Sequence, residues 1–210
     1  MIALIDYRAG NLTSVKKALA ALGADVRVPE SPAELDRADG VIVPGVGHFN
    51  ATAALGPAWV AAIRGRIDAG RPLLGICLGL QWLFDSSDEA PDLPGLGLLA
   101  GRCYRLGSSV SRAVGEASST VKIPHVGWNS LTIRRHAPIV DHVPSESQVY
   151  FTHSFVAPVT ADAVAVTEHG EPFASIVSRE RVAGVQFHPE KSGDVGLQVL
   201  RNWLSTSHAV

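Results

Sequence analysis

Gly75-Ile76-Cys77-Leu78-Gly79 sets a cysteine between two glycines, where an apolar run from Leu73 to Ile76 meets a helix-like run from Leu78 to Phe84. A G-x-nucleophile-x-G turn of this kind is a nucleophile elbow: the glycines permit the sharp turn, and the nucleophile is presented at a helix N-terminus. The helix dipole and free N–H groups there favour thiolate over thiol. The backbone N–H of Leu78 would lie ready to bind an oxyanion. With 20 glycines and two cysteines in 210 residues, about 0.02 such matches arise by chance. The competing role for Cys77 is that of most free cysteines, a small buried packing residue.

A thiolate nucleophile needs a proton carrier, and the carrier needs orienting. Of the eight histidines, His48, His136, His142, His169 and His208 lie in polar or loop-like surroundings and read as surface residues. His125 and His153 adjoin strand-like runs and read as core histidines. His188 is different, because it ends the apolar run Val182 to Phe187 and is followed by Pro189 and Glu190. In an open α/β sheet the functional crevice lies beyond the carboxyl ends of the strands. Cys77 and His188 both fall at such ends. Glu190 is spaced to hold the far imidazole nitrogen and stabilise the imidazolium, the task of a triad's third member.

The elements that must position these residues alternate along the first half of the chain. Ile2 to Ile5, Asp25 to Val28, Val41 to Val43 and Leu73 to Ile76 are short apolar runs of strand length. Between them, Asn11 stands as the N-cap of a helix carrying Leu12, Val15, Leu19 and Leu22, with Gly23 as its stop. Ser31-Pro32-Ala33-Glu34 is a capping box opening a short helix, and Trp59 to Asp68 reads as another helix. The second half holds strand-like runs at Gly127 to Ile133, Val149 to Phe151, Ala163 to Thr167, Phe173 to Val177 and Val182 to Phe187. Glu168 to Glu171 forms a hairpin loop, and a last helix covers about Asp194 to Leu204. Tyr104 to Val121 reads as a Ser/Gly-rich surface excursion. The expected fold is α/β: an open, mostly parallel twisted sheet with helices on both faces and a smaller antiparallel portion, in one domain over residues 1–210.

Composition removes several classes of function. Apolar residues make up 46% of the chain, enough for a large core, and the formal charge of −2 offers no basic field for nucleic acid or an anionic membrane. Two cysteines are too few for a disulfide framework, and they lack the spacing of a zinc site. The longest nearly apolar stretch is about a dozen residues, against the roughly 20 of a membrane span. The N-terminus lacks the basic start of a signal peptide, so a soluble, cytoplasmic protein is expected.

Gly75 to Gln81 together with Gln186-Phe187-His188-Pro189-Glu190 resembles the class I, triad-type glutamine amidotransferases. The likeness runs nearly the whole length. It takes in Ile5-Asp6-Tyr7 to Leu12, the loop Pro44-Gly45-Val46-Gly47-His48-Phe49, the segment Lys122 to Asn129, and Tyr150 to Phe155. The Lys122 to Asn129 segment, with Lys191 after Pro189-Glu190, points to the branch whose ammonia serves histidine biosynthesis. Departures are Arg8-Ala9 where the family pattern has Gly followed by a small or apolar residue, Leu80 for a common Met, and a longer Ser/Gly-rich excursion.

The resemblance implies that Cys77 attacks the side-chain amide of glutamine, with His188 as proton carrier and Glu190 as its orienter. It implies an oxyanion hole from Leu78 with Val46 or Gly47, glutamine contacts at Gly47, Gln81, Ser154 and Phe155, and no metal or organic cofactor. It further implies a (β/α)8-barrel cyclase subunit as partner, receiving ammonia through a tunnel to make imidazole glycerol phosphate and the aminoimidazole-carboxamide ribotide. Asn11, Trp128, Tyr150 and Lys191 would face that partner. Equally simple roles for these four are a helix cap, two core aromatics and a solvated charge. Three other readings stay open: an amidotransferase of another pathway, a redox-sensing cysteine protein, and a binding module with a dead site.

Overall fold

The structure is a computed structural model that describes residues 1–107 and 121–207. Most of the expected Ser/Gly-rich excursion (108–120) and His208 lie outside the described residues. The strands are β1 (Ile2–Leu4), β2 (Val26–Arg27), β3 (Gly40–Val43), β4 (Leu73–Ile76), β5 (Phe84–Ser87), β6 (Leu99–Arg105), β7 (His125–Ile133), β8 (Ser147–His153), β9 (Phe155–Val156), β10 (Ala163–Glu168), β11 (Pro172–Arg179) and β12 (Val182–Val185). The α-helices are α1 (Leu12–Ala21), α2 (Pro57–Asp68), α3 (Leu78–Trp82) and α4 (Gly193–Ser207).

Nine strands form one sheet in the order β2-β1-β3-β4-β12-β11-β10-β7-β8. Pairing is parallel from β2 through β12 and antiparallel from β12 to β8. The antiparallel portion therefore continues the parallel sheet rather than standing beside it. A second, three-stranded sheet, β5-β6-β9, lies apart.

Strand side chains alternate between two cores, as the pleat requires. Ile2, Leu4, Leu74, Ile76 and Val185 pack on one face with Val15 and Leu19 of α1 and with Leu200, Trp203 and Leu204 of α4. Ala3, Ile5, Leu73 and Val182 pack on the other with Ile63 of α2 and Leu78 and Leu80 of α3. Both faces of the parallel half are thus covered, which is why its strands read as continuous apolar runs.

Two expectations are corrected. The helix after Cys77 ends at Trp82, and Phe84 begins β5. The reason is a competing set of donors: the N–H groups of Leu96, Gly97 and Leu98 take the carbonyls of Trp82, Phe84 and Leu83, so the helix has no need to continue. The capping box at Ser31 opens a short helix as expected, the 3-10 helix Pro32–Arg37. Tyr104 and Arg105 belong to β6 rather than to a surface excursion. The hairpin at Glu168 to Glu171 joins β10 to β11 as expected.

Candidate active site

Cys77 follows β4 directly and has φ 54° and ψ −104°, a conformation that costs a non-glycine residue about 1–3 kcal/mol. The two flanking glycines make this turn sterically possible. A Cβ at Gly79 would overlap the Val43 carbonyl oxygen, and one at Gly75 would press on the Gly79 carbonyl group. Both contacts are with backbone, which cannot swing aside. Gly79→Ala is accordingly expected to cost about 2 kcal/mol or more and to lower Tm by about 5 °C or more, read by thermal unfolding. An unchanged Tm would mean that β3 and α3 do not approach this closely.

His188 is brought to Cys77 by strand pairing. β12 lies beside β4 in parallel register, Val185 opposite Ile76, and the Cys77 N–H donates to the Val185 carbonyl at 2.8 Å. The chain beyond β12 is then pinned to β8. The His188 N–H donates to the Tyr150 carbonyl at 2.9 Å, and Ser192 Oγ accepts from the Tyr150 N–H at 3.0 Å while donating to the His188 carbonyl at 2.6 Å. Glu190 Oε1 lies 2.8 Å from His188 Nδ1, with both side chains almost wholly buried. His188 Nε2 makes no hydrogen bond of its own and is the ring nitrogen left for Cys77. Burial works against the imidazolium, but interaction with the Cys77 sulfur and with Glu190 overrides it, and the His188 pKa is raised to about 10.

A cleft of about 220 Å³ opens over Cys77, and Gly47, Gln81, Ser154 and Phe155 all line it. Gln81 Nε2 donates to the Phe155 carbonyl at 2.8 Å. Glu89 and Thr152 also line the cleft and Gln186 lies under it; sequence reasoning assigned no role to any of them. Glu89 Oε2 accepts from the Phe49 N–H at 2.7 Å, tying the Pro44–Phe49 loop to the chain after β5. No short motif marks Glu89, since its partner lies 40 residues away. Gln186 sits inside the quoted motif and is fully buried, a state that is unusual for glutamine and calls for partners.

Of the expected oxyanion donors, Leu78 and Val46 are engaged elsewhere, while Gly47 lines the cleft. The Leu78 N–H donates to the Gly45 carbonyl and the Val46 N–H to the Ala9 carbonyl, each at 3.3 Å. Tyr7 Oη packs against Gly45 and is buried without a partner. Next to it Arg8 takes φ 63° and donates its N–H to Asp6 Oδ1 at 2.8 Å.

The four remaining residues occupy one strip. Trp128 on β7 pairs with Tyr150 on β8, their rings T-shaped at 6.1 Å, and Lys191 Nζ stands 5.7 Å from the Tyr150 ring centre. Trp128 is 57% exposed and Val126, on the same face, 55%. Trp128 is thus not a core aromatic. Asn11 is the N-cap of α1, its side chain accepting from the Ser14 N–H at 3.4 Å, and α1 packs against the turn that carries Lys191.

His169 departs from the surface role expected of it. Its ring stacks on His125 at 4.0 Å, and Nε2 donates to the Lys122 carbonyl at 2.9 Å. His125 and His153 are buried as expected and bonded to each other at 3.2 Å. Burial pushes His125 down to about 4 and His153 well below its ordinary value, so both are neutral at pH 7. No helix among the described residues is long and apolar enough to cross a membrane.

The family described as glutamine amidotransferase class-I matches residues 3–206. The chain is 45% identical over 208 residues to the imidazole glycerol phosphate synthase subunit HisH of Halalkalibacterium halodurans, covering 97% of this chain and 94% of that protein. It is 46% identical over 210 residues to the same subunit of Thermosynechococcus vestitus, covering 97% and 96%. Among solved structures, a glutamine amidotransferase superposes with a TM-score of 0.74 at 19% identity over 99% of each chain. PurLQS from Thermotoga maritima superposes with 0.73 at 20% identity over 97% of each. These two likenesses concern the fold.

Proposed function

The chain belongs to the class-I glutamine amidotransferases, among the HisH glutaminase subunits of imidazole glycerol phosphate synthase, and on that premise we propose that Cys77, His188 and Glu190 release ammonia from glutamine. The observation that carries this reading is His188, held by Glu190 at 2.8 Å on one ring nitrogen, with its other nitrogen unpaired and its strand paired beside the one that ends at Cys77.

Glutamine enters the cleft with its side-chain amide over Cys77, held by Gly47, Gln81 and the backbone of Ser154 and Phe155. The thiolate attacks the amide carbon, and the imidazolium of His188 gives its proton to the departing nitrogen. Ammonia leaves and a glutamyl thioester remains. Neutral His188 next takes a proton from water, which attacks the thioester and frees glutamate and the thiolate. Glu190 holds the ring in one tautomer throughout.

The tetrahedral oxyanion needs donors, and at rest the N–H groups of Leu78 and Val46 are both spent on carbonyls. The bonds are long, and the Pro44–Gly47 loop that holds them reaches the surface at Val46, which is 37% exposed. Docking of the barrel cyclase on the strip of Asn11, Trp128, Tyr150 and Lys191 is where the loop would be shifted and Leu78 freed. Ammonia then passes to the cyclase without release, in a cytoplasmic biosynthetic complex to which this chain gives one domain, 1–210.

Glutamate release measured with and without the cyclase subunit and its nucleotide ligand tests the reading. Restoring one oxyanion donor is worth about 10²–10³ in kcat, so stimulation of about 10²-fold or more is expected. Turnover without stimulation would remove the pathway but keep the glutaminase. Silence of every mixture, with the chain folded, would remove the triad.

A further inference from the structure

Gln186 ties the wall of the cleft to the nucleophile. Its backbone N–H donates to the Ser175 carbonyl at 2.9 Å, extending the strand pairing one residue beyond β12, and its side chain is fully buried. Gln81 Nε2 donates to the Phe155 carbonyl at 2.8 Å and to Gln186 Oε1 at 3.3 Å. Gln186 Nε2 in turn reaches Cys77 Sγ at 3.7 Å.

The direction of this chain is forced from one end. A backbone carbonyl only accepts, so Gln81 must present its nitrogen to Phe155. Both hydrogens of that nitrogen are then used, one on Phe155 and one on Gln186. Gln186 must therefore turn its oxygen to Gln81 and its nitrogen to the sulfur. The sulfur receives a donor, and Gln81 keeps Oε1 as the acceptor it has left for a ligand N–H in the cleft. A hydrogen bond donated to an ion is about twice as strong as one to a neutral group, so a donor fixed at this point favours thiolate over thiol.

We propose that Gln186 is a positioning residue that donates to Cys77 Sγ, holds it as thiolate in line with the cleft, and is itself held by Gln81. The proposal rests on the reading of Cys77 as nucleophile. The titratable groups that also face the sulfur are His188, backed by Glu190, and Tyr7, with Glu89 and His153 on the cleft wall; none of them contacts it through an amide.

Gln186→Met keeps the length of the side chain and removes the donor. The rate of Cys77 alkylation by iodoacetamide is followed against pH in the full chain, with buried Cys103 as internal control. In the variant the half-maximal pH of alkylation should move up by about one unit, while kcat for glutamine falls and KM changes little. A purely structural role would leave the alkylation profile in place, and a folded variant with the wild-type profile overturns the proposal. If Gln186→Met does not fold, Gln81→Met breaks the same chain one link earlier; it should shift the profile in the same direction, and an unchanged profile there is equally fatal. Absence of glutamine turnover in the wild type would instead sink the glutaminase reading.

Discussion

Cys77→Ala is expected to lower glutamate release by at least about 10⁴-fold with its partner present, since removal of an acyl-transfer nucleophile leaves only binding and electrostatic stabilisation. The loss should come without unfolding. The side chain is 5% exposed and small, so its truncation leaves little void. The strained φ of 54° adds a second, opposite readout. Cys77→Gly should be as inactive as the alanine variant yet more stable than it by about 1 kcal/mol, because glycine relieves the backbone. Urea unfolding of the two variants checks this. Residual turnover in both would place the nucleophile elsewhere.

Glu190→Gln should lower kcat by up to about 10⁴, the loss seen when a triad carboxylate becomes an amide. His188 carries a pKa raised to about 10 against strong burial, because Cys77 and Glu190 both favour the imidazolium. Removing the carboxylate leaves the burial and one supporter, so the imidazole pKa must fall, which NMR titration of the ring follows. A group whose pKa is higher folded than unfolded stabilises the fold below its unfolded value, about 6.5, and loses that contribution as pH rises through its folded value. Wild-type stability should therefore decline from about pH 6.5 to pH 10 through this residue, and the variant should show a shallower decline. Equal slopes would mean that Glu190 does not hold the proton on His188.

How far the site could be read in advance depended on the range of the interactions that build it. The elbow at Cys77 was legible because its causes are local: two glycines at the positions where a Cβ would meet backbone, after a strand that is apolar on both faces. Glu190 was legible as the residue two places beyond His188. Gln186 was in view as part of a motif but had no visible role, since its buried amide is explained only by partners 105 and 109 residues away in sequence. β5, β6 and β9 were missed for the same reason, their ladders being non-local.

Two-sided apolar runs, caps and the glycine-flanked cysteine are decided by the sequence, because propensity, pleat and steric exclusion act within a few residues. The placing of His188 beside Cys77 was decided by the tertiary structure, through β12 choosing β4 as its neighbour in a register that sets Val185 against Ile76. Likewise the state of the oxyanion donors is a tertiary matter. Whether the Leu78 N–H is free or bound to Gly45 turns on one long hydrogen bond between a helix start and a loop, and no local preference of either segment specifies it.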